Sequence, residues 1–341
     1  MSESSKIKVG ISVGDPNGIG FEIILKTFQE KNLFKKFIPI AFAHPQNFFE
    51  ESEKYKLDTN IIEVKNIGDI QENFLNIIDI WDNPFPINYG KDELTAGNFA
   101  FSSLEAATIA LIKNKIDVLV TAPINKKNIQ SKRFQFKGHT DYLDKEINGE
   151  SLMFMISDQI KLALVTDHIP LAKVNEFATK NTIIKKIKIL EHSLKSDFNI
   201  SEPRIAILGI NPHAGDYGVI GEEEETFLKP LVKAQFDKGI RIDGPFPADG
   251  FFGSQSYQKF DAILAIYHDQ GLIPFKTLSF GEGVNFTAGL DRVRTSPDHG
   301  TAYDIAGQGE ANHNSFKKAL HTAREIFLNR KKFNDAVNKT N

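Results

Sequence analysis

Ala262-Ile263-Leu264-Ala265-Ile266 is an apolar run of strand length, and Tyr267-His268-Asp269-Gln270-Gly271 follows it without a break. A buried strand that turns abruptly polar is what an open α/β sheet presents at a ligand site, because strand C-termini open into a crevice. The same punctuation occurs twice more. Leu162-Ala163-Leu164-Val165-Thr166-Asp167 ends at His168, and Ile205-Ala206-Ile207-Leu208-Gly209-Ile210 runs through Asn211-Pro212 to His213. Three such strands can bring three imidazoles to one edge of a sheet. Imidazole binds zinc, nickel, cobalt or iron, and three of them leave a position open for substrate. Read singly, each histidine is a strand cap that satisfies a nearby carbonyl; the repetition is what favours a metal.

Composition narrows the classes. The chain has 341 residues, enough for two domains or one large lobed one. It is 41% hydrophobic and 25% charged, as an ordinary globular protein is. A net charge of −3 gives no basic surplus for nucleic acid or an acidic lipid surface, so small anions must be held by local Lys and Arg. There is no cysteine, which excludes disulfides, thiolate metal sites and a cysteine nucleophile, and fits a cytoplasmic location. Met1 to Ile7 is polar, without the apolar core of a secretory signal, and no apolar run is long enough to span a membrane.

From the N-terminus, Lys8 to Val13 reads as a first strand. It leads through Gly14-Asp15-Pro16-Asn17-Gly18-Ile19-Gly20 into a helix over about Phe21 to Glu30. That turn is either a cradle whose N–H groups meet an anion or a tight turn that needs glycine; its spacing matches neither the dinucleotide fingerprint nor a P-loop. Phe37 to Ala43, Ile61 to Val64, Ile77 to Ile80 and Asp117 to Pro123 read as further strands, with a helix from Leu94 to Lys113. Strand–helix–strand order predicts parallel, right-handed crossovers. Ser151–Ser157 and Lys161–Thr166 read as a hairpin pair, and Thr179–Leu194 as an amphipathic helix with a solvated lysine face. Glu222 to Glu225 read as acids at a helix start. Gly244 to Gly250 reads as a rigid loop, plain or positioning Asp249; Phe316–Leu328 reads as a closing helix, and Lys331 to Asn341 as a frayed tail.

Lys137-Gly138-His139-Thr140-Asp141 is either a helix start, with Thr140 as cap and Asp141 facing the dipole, or a pair of hydrogen-bonding groups for phosphate oxygens in His139 and Thr140. Lys276 and Arg294 can pair with carboxylate or phosphate. His168, His213 and His268 with a cation suit two reactions: hydrolysis by a metal-bound hydroxide, or oxidation of an alcohol. The residues alone leave both open, and no His-Glu-x-x-His pattern supports a protease.

Gly14 to Gly20, Gly138 to Asp141, Asn211 to Gly215, Gly244 to Asp249, Tyr267 to Gly271, Gly283-Val284-Asn285, Arg294-Thr295-Ser296 and Asp298 to Ala302 together resemble the 4-hydroxythreonine-4-phosphate dehydrogenase family of pyridoxal phosphate biosynthesis, in order and over nearly the whole chain. Asp298 to Asn312 is also similar to the cofactor loop of isocitrate and isopropylmalate dehydrogenases. Asp141 stands where that pattern expects Glu, and Phe21 where it expects Pro.

The resemblance implies an isocitrate/isopropylmalate dehydrogenase-like α/β fold, two α/β lobes around a largely parallel sheet with a cleft between them. It implies a cofactor-side lobe at 1–135 with 300–341 and a substrate, metal and dimerisation lobe at 136–299. It implies a homodimer with a shared active site. A divalent zinc, magnesium or cobalt ion would sit on His168, His213 and His268, and substrate on His139, Thr140, Lys276, Asn285 and Arg294. NAD (or NADP) would lie along Asp298, His299, Gly300, Thr301, Asp304 and Asn312. Lys276, Asp249 and Asp269 are the candidates for proton transfer. The implied reaction is oxidation of 4-phosphooxy-L-threonine at C3 with decarboxylation to 3-amino-2-oxopropyl phosphate; the alternatives are a dehydrogenase for phosphorylated threonate or erythronate, or a metal-dependent phosphohydrolase.

Overall fold

The computed structural model describes residues 6–279 and 281–340; residues 1–5 of the Met1–Ile7 stretch, and Asn341 of the tail, lie outside them. In chain order the elements are β1 (Ile7–Ser12), α1 (Gly20–Phe28), β2 (Phe37–Phe42), α2 (Pro45–Lys54), β3 (Ile61–Val64), β4 (Leu75–Ile78), α3 (Leu94–Ile112), β5 (Val118–Thr121), α4 (His139–Glu146), β6 (Gly149–Ile156), β7 (Lys161–Leu164), α5 (Val174–Phe177), α6 (Lys180–Ser196), β8 (Ile205–Leu208), α7 (Lys229–Phe236), β9 (Ile242–Phe246), α8 (Ala248–Gly253), β10 (Ala262–Ala265), α9 (His268–Leu278), β11 (Val284–Leu290), β12 (Val293–Pro297) and α10 (Asn314–Thr340). Among the described residues no helix is long and apolar enough to cross a membrane.

The chain packs as two compact units, Met1–Asn148 with Leu290–Phe327, and Gly149–Gly289 with Leu328–Asn341. The sequence places the lobes at 1–135 with 300–341 and at 136–299. In the packing, 136–148 and 290–299 go with the first unit and 328–341 with the second. The causes are specific. Tyr142 and Leu143 of α4 enter the first unit's core, β12 pairs with β5, and Arg330 reaches Asp197.

The first unit orders its strands β3-β4-β2-β1-β5-β12, and every neighbouring pair is parallel. Parallel strands are covered on both faces, which is why β4, β5 and β12 are buried throughout. Its core joins Leu104, Leu111, Leu119 and Phe42 to an aromatic cluster in which Phe101, Phe134, Phe136 and Tyr142 meet at centroid distances of 5.3–5.8 Å. Aromatic rings in such contacts add about 1 kcal/mol each beyond their buried area. This cluster anchors α4.

The second unit orders its strands β11-β6-β7-β10-β8-β9. β6 and β7 form the expected antiparallel pair, with Phe154 opposite Ala163. β7, β10, β8 and β9 are parallel to one another in turn. The core gathers Met155, Leu162, Leu164, Leu208, Ile263 and Phe275. Two expectations are corrected here. Gly244 to Phe246 belongs to a strand, β9, not to a loop. Pro245 is tolerated because β9 stands at the end of the strand order, where a missing N–H costs no ladder bond.

The tail from Lys331 is helical, since α10 continues to Thr340. The turns around its start are tied down. Arg330 Nε and Nη2 donate to the two oxygens of Asp197 at 2.6 and 3.2 Å. Asn329 donates to Asp197 O at 2.8 Å, and Phe333 packs edge-on to His192. Asp197 is buried, and Ser193 and Ser196 donate to it as well. Arg330→Ala would leave a buried carboxylate without its cation. We expect it to lower unfolding free energy by about 3 kcal/mol, read as a fall in the urea midpoint with unchanged slope; a midpoint within error of the parent would refute this account of the tail.

Candidate functional site

β7, β10 and β8 are adjacent and parallel, so the segments that follow them emerge on one side of the second unit. The ladder continues past β7. Val165 N donates to Ala265 O at 2.8 Å, Thr166 N to Ile266 O at 3.0 Å and the Thr166 hydroxyl to the same oxygen at 2.7 Å. This pairing carries His168 alongside His268, with ring centroids 5.6 Å apart. A cavity of about 300 Å3, lined in part by Thr166, Leu171, Val174 and Tyr267, contains both rings.

Each residue of Tyr267-His268-Asp269-Gln270-Gly271 has a distinct physical task. Tyr267 is the N-cap of α9 and His268 its first residue. Asp269 Oδ1 lies 2.8 Å from His268 Nδ1, which orients the ring and leaves Nε2 as its outward nitrogen. Gln270 Oε1 accepts from Ile266 N at 2.7 Å while its Nε2 donates to Gly209 O at 2.6 Å, so one amide ties the end of β10 to the end of β8. Gly271 lies where a Cβ would come within 2.5 Å of the Leu162 side chain and 3.0 Å of Ala265, so the missing side chain lets α9 seat closely on β7 and β10.

His213 follows β8 but on a different backbone. Residues 213–217 all have positive φ, from 42° to 78°. Four of the five are not glycine, and each such residue costs on the order of 1 kcal/mol. Glu224 holds the entry to this turn. It is fully buried, and Oε1 accepts from Ile210 N and Asn211 N at 2.7 and 2.8 Å. Glu224 and Glu225 do stand in the first turn of a short helix, Glu224–Leu228, as expected, and the Glu224 carboxylate also takes backbone donors of the His213 loop.

His213 is exposed. Among the described residues no group of three or more His, Asp or Glu side chains could hold a metal ion. The structure thus brings His168 and His268 together and leaves His213 outside that group. The donor chemistry of the pair fits a divalent ion of the zinc type.

Lys276 is exposed on α9, and Asn285 on β11 has a buried Oδ1 with no hydrogen-bond partner. Asp249 and Asp269 line one cavity of about 540 Å3 with Tyr267 and Gln270.

In the first unit, α4 starts at His139 with Gly138 as its N-cap. Thr140 is therefore not the cap. Asp141 lies in the first turn, and its carboxylate accepts from Lys137 N at 3.3 Å. His139 Nε2 is buried without a hydrogen-bond partner. Burial, then the nearby charges of Arg294 and Lys126, hold its pKa well below the ordinary histidine range, so the ring is neutral at neutral pH. Arg294 on β12 is 2% exposed. Its Nε and Nη2 donate to Thr121 Oγ1 at 3.1 and 2.6 Å. Burial pushes its pKa down to about 9, which leaves the guanidinium charged at neutral pH.

Four N–H groups of the Gly14–Gly20 turn are taken by acceptors within the protein. Asp15 N donates to Pro123 O, Asn17 N to Asp15 Oδ1, Gly18 N to Asp15 O and Ile19 N to Thr301 O. The buried Asp15 carboxylate also accepts from Asn128 Nδ2 and Tyr303 OH, each at 2.7 Å. The turn is thus a packing device, and it holds the segment that begins at Asp298. Within that segment, Asp298 and Ser315 bond each other, and Asn312 Oδ1 caps α10 by accepting from Asn314 N at 2.9 Å. His299 Nε2 is buried without a partner. Asp304 O accepts from Gln308, and a side chain on Gly300 would meet open space. Glu224, Gln270, Asp15 and Tyr303 are the structural supports that the sequence reading missed. All four stood inside stretches already singled out, but none was read as a support.

The chain matches the family described as pyridoxal phosphate biosynthetic protein PdxA over residues 35–323. It is 44% identical to a 4-hydroxythreonine-4-phosphate dehydrogenase of Bacteroides thetaiotaomicron, over 97% of this chain and 91% of that one. It is 40% identical to the protein of the same name from Sulfurihydrogenibium sp., over 93% and 97%. The crystal structure of the 4-hydroxythreonine-4-phosphate dehydrogenase from Klebsiella pneumoniae superposes with a TM-score of 0.81 at 30% identity, over 96% of this chain and 99% of that one. With the family matched over residues 35–323 and relatives at 40–44% identity over nearly the whole chain, the chain belongs to the pyridoxal phosphate biosynthetic protein PdxA family.

Proposed function

We propose that the chain oxidises 4-phosphooxy-L-threonine at C3, with NAD (or NADP) and a divalent cation, and releases CO2 and 3-amino-2-oxopropyl phosphate in the biosynthesis of pyridoxal 5'-phosphate. One observation carries this reading. Three neighbouring parallel strands, β7, β10 and β8, are each followed by a histidine, in a chain whose relatives are named 4-hydroxythreonine-4-phosphate dehydrogenases. When bound, the nicotinamide takes up hydride and the cation, zinc, magnesium or cobalt, acidifies the C3 hydroxyl.

The protein's own side chains do the rest. His168, His268 and His213 would hold the cation, with a second copy of the chain completing the ligand set in a homodimer. Asp269 keeps the His268 ring oriented through Nδ1. Residues 298–312, with Asp298, His299, Gly300, Thr301, Asp304 and Asn312, would hold the dinucleotide. Arg294 supplies a buried positive charge for an anionic group of the substrate, and Thr140 a hydroxyl. His139, held neutral, offers one N–H and one lone pair without adding a second cation beside Arg294. Asn285 supplies an amide and Lys276 an amino group. The proton from the C3 hydroxyl passes to Lys276, Asp249 or Asp269.

The deciding measurement follows reduced dinucleotide by absorbance, with and without a chelator, against phosphorylated hydroxythreonine and phosphorylated threonate. Chelator-sensitive reduction with the amino acid preferred is expected. Phosphate release without NAD would replace the reading by phosphohydrolysis. His268→Ala should lose bound metal and lower kcat/KM by about three orders of magnitude; near-parent activity after metal is added back would refute the ligand role. His139→Asn should raise the substrate KM across pH 6 to 9 without moving the apparent pKa values of the profile, because the native ring is already neutral there. Disappearance of an acid limb near pH 6.5 in that variant would contradict it.

A further inference from the structure

α1 carries Glu22 and Lys26 four residues apart, a spacing that places both side chains on one helix face. Both reach residues 309–311. Lys26 Nζ donates to Glu22 Oε1 at 2.7 Å, to Gly309 O at 2.8 Å and to Ala311 O at 2.9 Å, so each of its three protons has an acceptor. Glu22 Oε1 accepts in turn from Ala311 N at 2.7 Å. The segment is therefore gripped through one N–H and two carbonyls, all by one ion pair.

That pair is a poor choice if stability alone is at issue. The Glu22 side chain is 1% exposed, and its Oε2 is buried with no hydrogen-bond partner. A buried ion pair returns little net stability, and an unsatisfied carboxylate oxygen costs further. What a buried pair does well is to fix one register of the backbone it touches. Residues 309–311 belong to neither helix nor strand, so no ladder holds them.

We propose that Glu22 and Lys26 are positioning residues for a bound nicotinamide dinucleotide. They act from α1 by holding the backbone of residues 309–311 in the form that receives it. The inference rests on the reading of residues 298–312 as the dinucleotide segment. Neither residue touches the reacting atoms. The device sets the shape of the segment, so its loss falls on dinucleotide affinity and not on the phosphorylated substrate.

The test uses the full chain and NADH fluorescence titration, with steady-state kinetics alongside. Lys26→Met keeps the aliphatic length and removes the charge. We expect its NADH dissociation constant to rise about tenfold, with the substrate KM changed by less than about twofold and far-UV circular dichroism unchanged. Lys26→Arg should recover part of the loss. If Lys26→Met does not fold, Glu22→Gln carries the same test, since it keeps an acceptor for Ala311 N and removes the charge opposite Lys26. Folded variants that bind NADH as the parent does would overturn this inference alone. A parent protein that binds no NADH would overturn the dinucleotide reading and this inference together. An equal rise in both constants would also overturn it, because a general loosening of the fold would then be the cause.

Discussion

The close seating of α9 on β7 and β10 is the constraint from which the rest of the second unit's site follows. Gly271 permits the approach, and the Gln270 amide locks it by joining β10 to β8 across their ends. With α9 in that position, His268 has one place to stand, at the first helical residue beyond β10. The backbone bonds from Val165 and Thr166 to the same strand then bring His168 beside it. A side chain at 271 would crowd Leu162, Leu164 and Ala265 beneath α9 without touching either histidine. Local backbone geometry, and not the imidazoles themselves, determines whether the pair exists.

The Gly14–Gly20 turn illustrates a different point. A glycine-rich strand-to-helix turn invites the reading of an anion cradle, but the N–H groups of Asp15, Asn17, Gly18 and Ile19 are already taken within the protein. Gly20 would place a Cβ 2.1 Å from Val13 O, and Gly14 one 2.2 Å from Pro123 O, so these glycines serve backbone packing. The turn's polar side chains look inward as well. Asn17 accepts from Asn88 N and donates to Lys91 O, and Asp15 receives Tyr303. The motif's chemistry is spent on holding other segments, among them the one proposed to receive the dinucleotide.

Much of this was legible in the residues. Apolar runs located the central strands, and strand–helix alternation gave the parallel order, because fully covered strands must be apolar along their whole length. The histidines after β7, β8 and β10 stood out for the same reason: a polar residue at the end of such a run marks where burial stops. What escaped was decided by contacts remote in the chain. Pro245 argued against a strand until β9 proved to be at the end of the order. Glu224 was one of four consecutive acids, and nothing local separates the buried one from its neighbours. Asp15 meets Tyr303 across 288 positions. The end of α10 looked polar and frayed, and the anchor of Asn329 and Arg330 just before it, Asp197, lies far upstream.

Net charge was the least informative quantity of all. A net charge of −3 gives no sign of a buried cation, yet Arg294 keeps its charge in a buried position where Coulomb interactions are weakly screened. The depressed pKa of Arg294 measures what its burial costs, and an anion bound beside it would reverse that shift by favouring the charged form. His139 makes the same argument from the other side. A protonated imidazole next to Arg294 would raise the cost of both cations, so the ring gives up its proton and contributes a hydrogen bond in place of a charge. One buried cation with a neutral group beside it is thus less costly than two cations together, and the positive charge is concentrated at the group that keeps its proton at neutral pH.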